Sequence, residues 1–403
     1  MTALSWNLLY LQDNPFLITP PDDPEEIIWA GMPELKKEIE TKLAEARQSA
    51  ATQAILNRGP FGGGKTHALR YYSLSARWPA AKKSVRDIMI ITVSTPKQSG
   101  KPADDFYTDV LERIGIAQVR QRVAAALEEV GEEDAFTRLI EVTGSDSLGR
   151  AIHMLGQSGY VGESGEASDT KIAAEKRQLL DAYFLDGCTK AELRKLGLAR
   201  NIEKAQDKFR VLAGLFRCFI GLRPNREVGD HSRVCLWIDE MEDFVYFSAT
   251  QYRPFTQGLR DMIDRLPSFF TLLLNFTLTD PEELDTIEII MGKALVDRIT
   301  DHVVYREMNP PQAEQYVKEI MASYRTADYK AKVGELYPFD EDALLYIIQN
   351  LDKRTPRSIN KRCAYIASAA LQHKKRNTAP GEIKIDMDFV KSMSRSELDQ
   401  ELE

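Results

Sequence analysis

The octet G-P-F-G-G-G-K-T, from Gly59 to Thr66, is the densest chemical signal in the chain. It fits the pattern G-x-x-x-x-G-K-[ST], whose parts serve one purpose. Glycines let the backbone fold so that its N–H groups converge on an anion, the lysine adds a point charge, and the threonine hydroxyl offers a metal ligand. Gly59, Pro60, Phe61, Gly62, Gly63, Gly64, Lys65, Thr66 and His67 are therefore candidate phosphate-binding residues. Lys65 would reach the outer phosphates and Thr66 would sit on Mg²⁺. A glycine-rich surface turn has the same composition, so the flanks decide. Upstream "TQAILNR" is an apolar run of strand length, and downstream "THALRYYSLSARW" can continue as a helix. Strand, glycine loop and helix is the context this pattern requires.

Phosphate chemistry also needs carboxylates on the metal side. In "RVCLWIDEMEDF", residues 233 to 244, an apolar run from Val234 to Ile238 ends at Asp239 and Glu240. Such a run predicts a buried parallel strand with its carboxylates at the C-terminal edge, where ligands of open α/β sheets bind. There Asp239 would hold Mg²⁺, largely through water, and Glu240 would polarise the attacking water as general base. An acidic turn after a core strand competes evenly when taken alone. Beside a phosphate loop it becomes the minority reading.

These residues need a sheet to position them. "FFTLLLNFTLTD", residues 269 to 280, predicts a further strand with a polar residue near its end to touch a terminal phosphate or orient the water. Asn275 is the first choice, because an amide interrupts an otherwise apolar run; Thr277 and Thr279 are substitutes, and a one-residue error in register would change the answer. "DIMIITVS", 87 to 94, and "DHVVYREM", 301 to 308, complete the set. The expected fold is α/β, a five-stranded parallel P-loop sheet with helices on both faces.

The rest of the chain divides around that sheet. Residues 1 to 50 form a proline-rich arm and a helix opened by Pro33, and Phe16 or Trp29 could sandwich a base there, although core packing explains both equally well. The P-loop core is expected at 51–115 and 231–308, a helical insertion at 116–230, and an all-α lid at 309–403. Within the insertion, "TGSDSLG" and "GQSGYVGESGEASDT" read as mobile loops, and Thr189 with Glu192 as a capping box.

Bulk properties narrow the class. With 403 residues, 43% hydrophobic and 28% charged, the chain has the make-up of a soluble multi-domain protein. No run suits a membrane span, the N-terminus lacks signal-peptide features, and the cysteines at 188, 218, 235 and 363 have no metal-ligand spacing. A reduced, cytoplasmic setting is expected. The net charge of −8 gives no global nucleic-acid signature, but basic clusters occur at Lys82–Lys83, at 352–362 and at Lys374, Lys375 and Arg376.

Together, "GPFGGGKT", the strand ending in Asp-Glu, a polar residue on the next strand, "LVDRI" before the fifth and "TPRSINK" in the lid resemble the AAA+ ATPases. An entry like "NPFLITP…WAG" resembles the origin-recognition and transposition-regulator branch. "YFLDGCTKAELRKLGLARNIEKAQDKFRVLAGLF" running into "LWIDEMEDF" is similar to ATP-binding proteins of BREX-type phage-exclusion systems. The resemblance implies ATP and Mg²⁺ as ligands and a homo-oligomeric ring or filament. It implies Asn275 as first sensor, Arg298 as a finger reaching a neighbour's nucleotide, and Arg357 as lid sensor. A C-terminal winged helix, usual in the origin-recognition branch, is not recognisable, and the insertion is additional. Two functional classes fit: an ATPase oligomer acting on DNA, without sequence preference, or on protein–DNA complexes in phage defence or mobile-element control, and an ATP-dependent switch or scaffold that recruits a protein effector through 116–230.

Overall fold

The computed structural model describes residues 5–80, 84–97, 100–158, 167–224, 227–278, 284–329, 334–373 and 378–393. Five strands, β1 (Gln53–Gly59), β2 (Ile88–Ser94), β3 (Arg233–Asp239), β4 (Phe270–Thr277) and β5 (Asp301–Val304), form one sheet. Their order is β2-β3-β4-β1-β5, and every pairing is parallel. The expected parallel α/β sheet is the one observed. β3 is buried along its whole length, which is why it reads as a continuous apolar run and not as an alternation. β5 stops at Val304, short of the 308 expected from sequence. It is an edge strand paired only with β1, and β1 leaves the sheet at Gly59, so the last backbone bond is Tyr305 N–H to Arg58 C=O.

Helices α1 (Pro33–Gln48) and α2 (Lys65–Tyr71) flank β1. Among the described residues seven α-helices separate β2 from β3: α3 (Pro102–Ile114), α4 (Ile116–Val130), α5 (Glu132–Thr143), α6 (Asp146–Gln157), α7 (Ala167–Leu185), α8 (Lys190–Leu196) and α9 (Ala205–Ile220). The outer edge of β2 is covered there, and Arg113 Nε donates to Thr92 C=O at 3.2 Å. The "TGSDSLG" segment is not the loop its composition suggests. Thr143 ends α5, Gly144 turns left-handed, and the Ser145 hydroxyl caps α6 at the Leu148 N–H. Serine and glycine act here as helix-boundary residues, a use their composition does not distinguish from a loop. Of the second segment, 159–166 lie outside the described residues. The Thr189–Glu192 capping box of α8 is present.

After β3 come α10 (Ala249–Arg265), β4, α11 (Asp285–Met291), α12 (Lys293–Val296) and β5. The C-terminal helices α13 (Pro310–Ser323), α14 (Glu341–Gln349), α15 (Pro356–Gln372) and α16 (Met387–Ser392) build a separate hydrophobic cluster. That cluster takes in Trp6, Leu9, Leu11 and Phe16 from the N-terminal arm, so both chain ends share one core. No helix among the described residues is long and apolar enough to cross a membrane.

One buried cation fastens the base of the sheet. The Arg233 guanidinium is fully buried and donates to Phe270 C=O at 3.0 Å, Thr271 Oγ1 at 2.9 Å, Ala51 C=O at 3.2 Å and the Ser49 carbonyl. Burial pushes its pKa down to about 10, which still leaves it charged at neutral pH. It ties the entry to β1 to the starts of β3 and β4. Arg233→Met should lower the unfolding free energy by about 3 kcal/mol, because three carbonyls lose a charged donor with no water to replace it. A lower urea midpoint at unchanged slope would show this, and an unchanged midpoint would refute it.

Candidate functional site

The C-terminal ends of β1, β3 and β4 open on one cleft that the lid and arm close from above, with a volume near 1240 Å³ including its mouth. Residues Phe61, Gly62, Gly63, Gly64, Lys65, Thr66 and His67 form its floor. The loop turns because Gly62 and Gly64 adopt φ of +73° and +99°, where a side chain would be strained. A Cβ on Gly62 would also lie 2.7 Å from Arg357 Cβ, so the loop and the lid helix α15 touch at a point only glycine allows.

Lys65 is buried and begins α2. Its Nζ donates to the carbonyls of Gly59 at 2.9 Å and Pro60 at 3.0 Å, so those two residues hold the lysine and do not line the cleft themselves. Burial lowers its pKa to about 8, against the opposing pull of the Glu242 and Asp239 carboxylates. Burial likewise drives His67 down to about 4, leaving a neutral imidazole with Trp29 edge-on at 5.9 Å.

β3 delivers Asp239 to the cleft, and β4 fixes it. Asn275 has no exposed surface. Its Nδ2 donates to Asp239 Oδ1 at 2.9 Å, while its Oδ1 accepts from Trp237 Nε1 and Asn57 Nδ2, both at 2.9 Å. Asn275 therefore stands behind Asp239 and is absent from the cleft wall, where Thr277 is found instead. Thr279 lies outside the described residues. Among the described residues Asp239 Oδ2 has no protein donor, and no cage of three or more metal-ligating side chains exists. One carboxylate oxygen and the Thr66 hydroxyl on the same cleft suit Mg²⁺, which keeps waters and phosphate oxygens as its other ligands.

Glu240 also lines the cleft, in the left-handed conformation at φ +60°. A non-glycine residue there stores strain, a signal invisible in sequence. Its carboxylate, 38% exposed, is held by Lys97 Nζ at 2.9 Å, and Asp243 shares that lysine at 3.5 Å. Sequence reading missed Lys97, which lies beyond β2. It also missed Glu242, which lines the cleft and accepts the Thr277 N–H at 2.9 Å.

The opposite half of the cleft is apolar, with Leu17, Ile18, Pro21, Ile28 and Trp29. Trp29 thus sits where a flat ring could lie, its Nε1 donating to Gly31 C=O at 3.0 Å. Phe16 does not. It is buried in the lid core, edge-on to Phe339 at 6.1 Å, which is the core-packing alternative. Arg357 lines the cleft from the lid and stacks over the exposed Phe61 ring at 4.4 Å. Arg298 lies away from this cleft, doubly bonded to Asp264 at 2.8 and 3.0 Å. Lys82, Lys83, Lys374, Lys375 and Arg376 lie outside the described residues.

No family model matches the chain, and no curated protein matches it. Among solved structures it is similar to the Aeropyrum pernix Orc1 protein in complex with DNA, with a TM-score of 0.46 and 12% identity over 98% of this chain and 70% of that one. It is similar to Drosophila ORC bound to DNA, at 0.46 and 10%, over 98% and 66% of the two chains. A third is C. elegans PCH-2, at 0.43 and 13%, over 95% and 73%. Values this low leave the chemistry to be read from the cleft itself.

The Lys65 shift has a measurable consequence. Folded Lys65 releases its proton near pH 8 and the unfolded chain near its ordinary 10.5, so the unfolded chain holds more protons between those values. Its contribution to stability therefore rises with pH across that window. Anion binding runs the other way, since only the ammonium attracts phosphate. Affinity for inorganic pyrophosphate should fall above pH 8, by at most about tenfold per unit, and Lys65→Ala should flatten the curve. A flat curve for the unaltered chain, titrated calorimetrically, would reject a role for this proton.

Proposed function

We propose that this chain is an AAA+ ATPase that hydrolyses ATP with Mg²⁺ and acts as a homo-oligomer on DNA or protein–DNA complexes. The observation that carries the reading is the meeting of Lys65, Thr66, Asp239 and Glu240 at one cleft whose other half is apolar. A charged lysine and loop N–H groups fit the phosphates, and the apolar half beside Trp29 fits the base. Bound Mg²⁺ would neutralise charge on the outer phosphates. Lys65 would leave the Gly59 and Pro60 carbonyls for those phosphates. Glu240, once free of Lys97, would take a proton from the attacking water.

The lid closes on the loop through Arg357 and Phe61, so lid position can report nucleotide state. Arg298, if it serves a neighbouring subunit, must first give up Asp264. The resemblance of the insert to BREX-type proteins supports a role in phage defence. The partition of the chain into arm, core, insertion and lid is part of the proposal.

The Lys97–Glu240 ion pair favours a second reading, a slow ATP-dependent switch that recruits an effector through the insertion. Turnover with and without duplex DNA separates the two. Strong stimulation supports the DNA-acting oligomer, and slow turnover indifferent to DNA supports the switch. In either case Glu240→Gln should keep nucleotide binding while hydrolysis falls by a factor on the order of 10² to 10⁴, and Lys65→Ala should weaken binding itself. For the oligomer, Arg298→Ala should bind ATP yet hydrolyse it poorly. Mixing that variant with Lys65→Ala should restore part of the activity, and mixed oligomers with none would refute the intersubunit role.

A further inference from the structure

At the sheet end of the cleft, beside Asp239 and Glu240, stands a further carboxylate that neither motif explains. Glu242 sits on the short 3₁₀ turn Met241–Tyr246 that follows β3. Its Oε2 accepts the Thr277 N–H at 2.9 Å, and Thr277 stands level with Gly59 in the sheet register. The far side of the phosphate loop is thereby joined to this carboxylate through two adjacent strands. Its other oxygen has no hydrogen-bond donor among the described residues, and the side chain lines the cleft. Glu240 is placed differently: it also borders the cleft, but its carboxylate is engaged by Lys97 at 2.9 Å.

We propose that Glu242 is a second catalytic carboxylate, whose unengaged oxygen accepts a hydrogen bond from the attacking water and aims it at the terminal phosphate. The role rests on the hydrolytic reading of the cleft. Water has two hydrogens to give, one to each glutamate. As its oxygen bonds to phosphorus, the proton on the Glu240 side passes to that carboxylate. The bond from phosphorus to the bridging oxygen breaks, and its electron pair leaves with the diphosphate. The proton is then released to phosphate or solvent. Glu242 keeps its charge throughout and fixes the direction of attack. Because its anchor is a backbone N–H, its position does not depend on Lys97.

The chemistry of glutamine makes the test specific. Glu242→Gln has nearly the same shape, and its amide oxygen can still accept the Thr277 N–H. It then presents an NH₂ donor to the water where an acceptor is needed. A purely structural role survives this change, and the catalytic role does not. Turnover of Glu242→Gln should fall by about 10²-fold, with unchanged melting temperature and, at a pH of about 6 where Lys65 stays protonated without this carboxylate, no loss of affinity for ADP or a non-hydrolysable ATP analogue. Turnover equal to that of the unaltered chain would overturn the assignment. So would a loss of affinity that accounts for the lost turnover, since Glu242 would then serve binding alone. If Glu242→Gln does not fold, Glu242→Asp keeps the charge but withdraws it by one methylene, and the same pattern of lost turnover at intact affinity is expected. Absence of turnover in the unaltered chain would sink the hydrolytic reading itself, and that result is in hand before any variant is made.

Discussion

A single buried amide organises the chemistry of this protein. Asn275 lies within a strand whose neighbours in sequence are leucine and phenylalanine, and it has no exposed surface. An unpaired amide there would cost roughly 1–3 kcal/mol. It is instead held by three hydrogen bonds to groups from two neighbouring strands. Asn57 stands directly opposite it on β1, Trp237 reaches it from β3, and Asp239 receives its N–H. With two donors on its oxygen, the amide has one orientation, and the Asp239 carboxylate is fixed by it. Lys65, Glu240 and Arg357 line the same cleft as that fixed carboxylate.

The second organising feature is the shared core of the chain ends. Trp6, Leu9, Leu11 and Phe16 are buried with the lid helices, and Asn360 of α15 donates to Leu17 C=O while accepting the Tyr316 hydroxyl at 3.0 Å. The N-terminal residues and the C-terminal helices therefore share one packed core. Arg357, on α15 of that core, faces Gly62 and Phe61 of the glycine loop. The Phe61 ring in that contact is exposed, in contrast to the polar network behind Asp239, which is buried.

What sequence alone determined is the local chemistry. The glycine loop, the first helical turn with Lys65 and Thr66, and the apolar strands ending in Asp239 and Glu240 are legible because each is set by residues within a few positions of one another. The number of strands followed from hydrophobic runs, and their parallel arrangement from the unbroken apolar character of those runs beside a strand–loop–helix motif. Composition failed where serine and glycine capped helices at 143–149 rather than forming a loop, since the same residue types serve both ends.

Tertiary structure decided everything that depends on residues far apart in the chain. Asn275 is a polar residue near a strand end in either reading, and only the sheet order puts it behind Asp239 while Thr277 faces the cleft. Phe16 and Trp29 are equivalent aromatics in the arm until the lid core claims the first and leaves the second beside His67. The pairing of Lys97 with Glu240 joins the segments that follow β2 and β3, and that of Glu242 with the Thr277 amide joins the turn after β3 to β4. Arg298 meets Asp264 across a separation of 34 positions. Periodicity and motif spacing report which face a residue takes; which partner it meets on that face is set by the packing of segments that have no covalent reason to be neighbours.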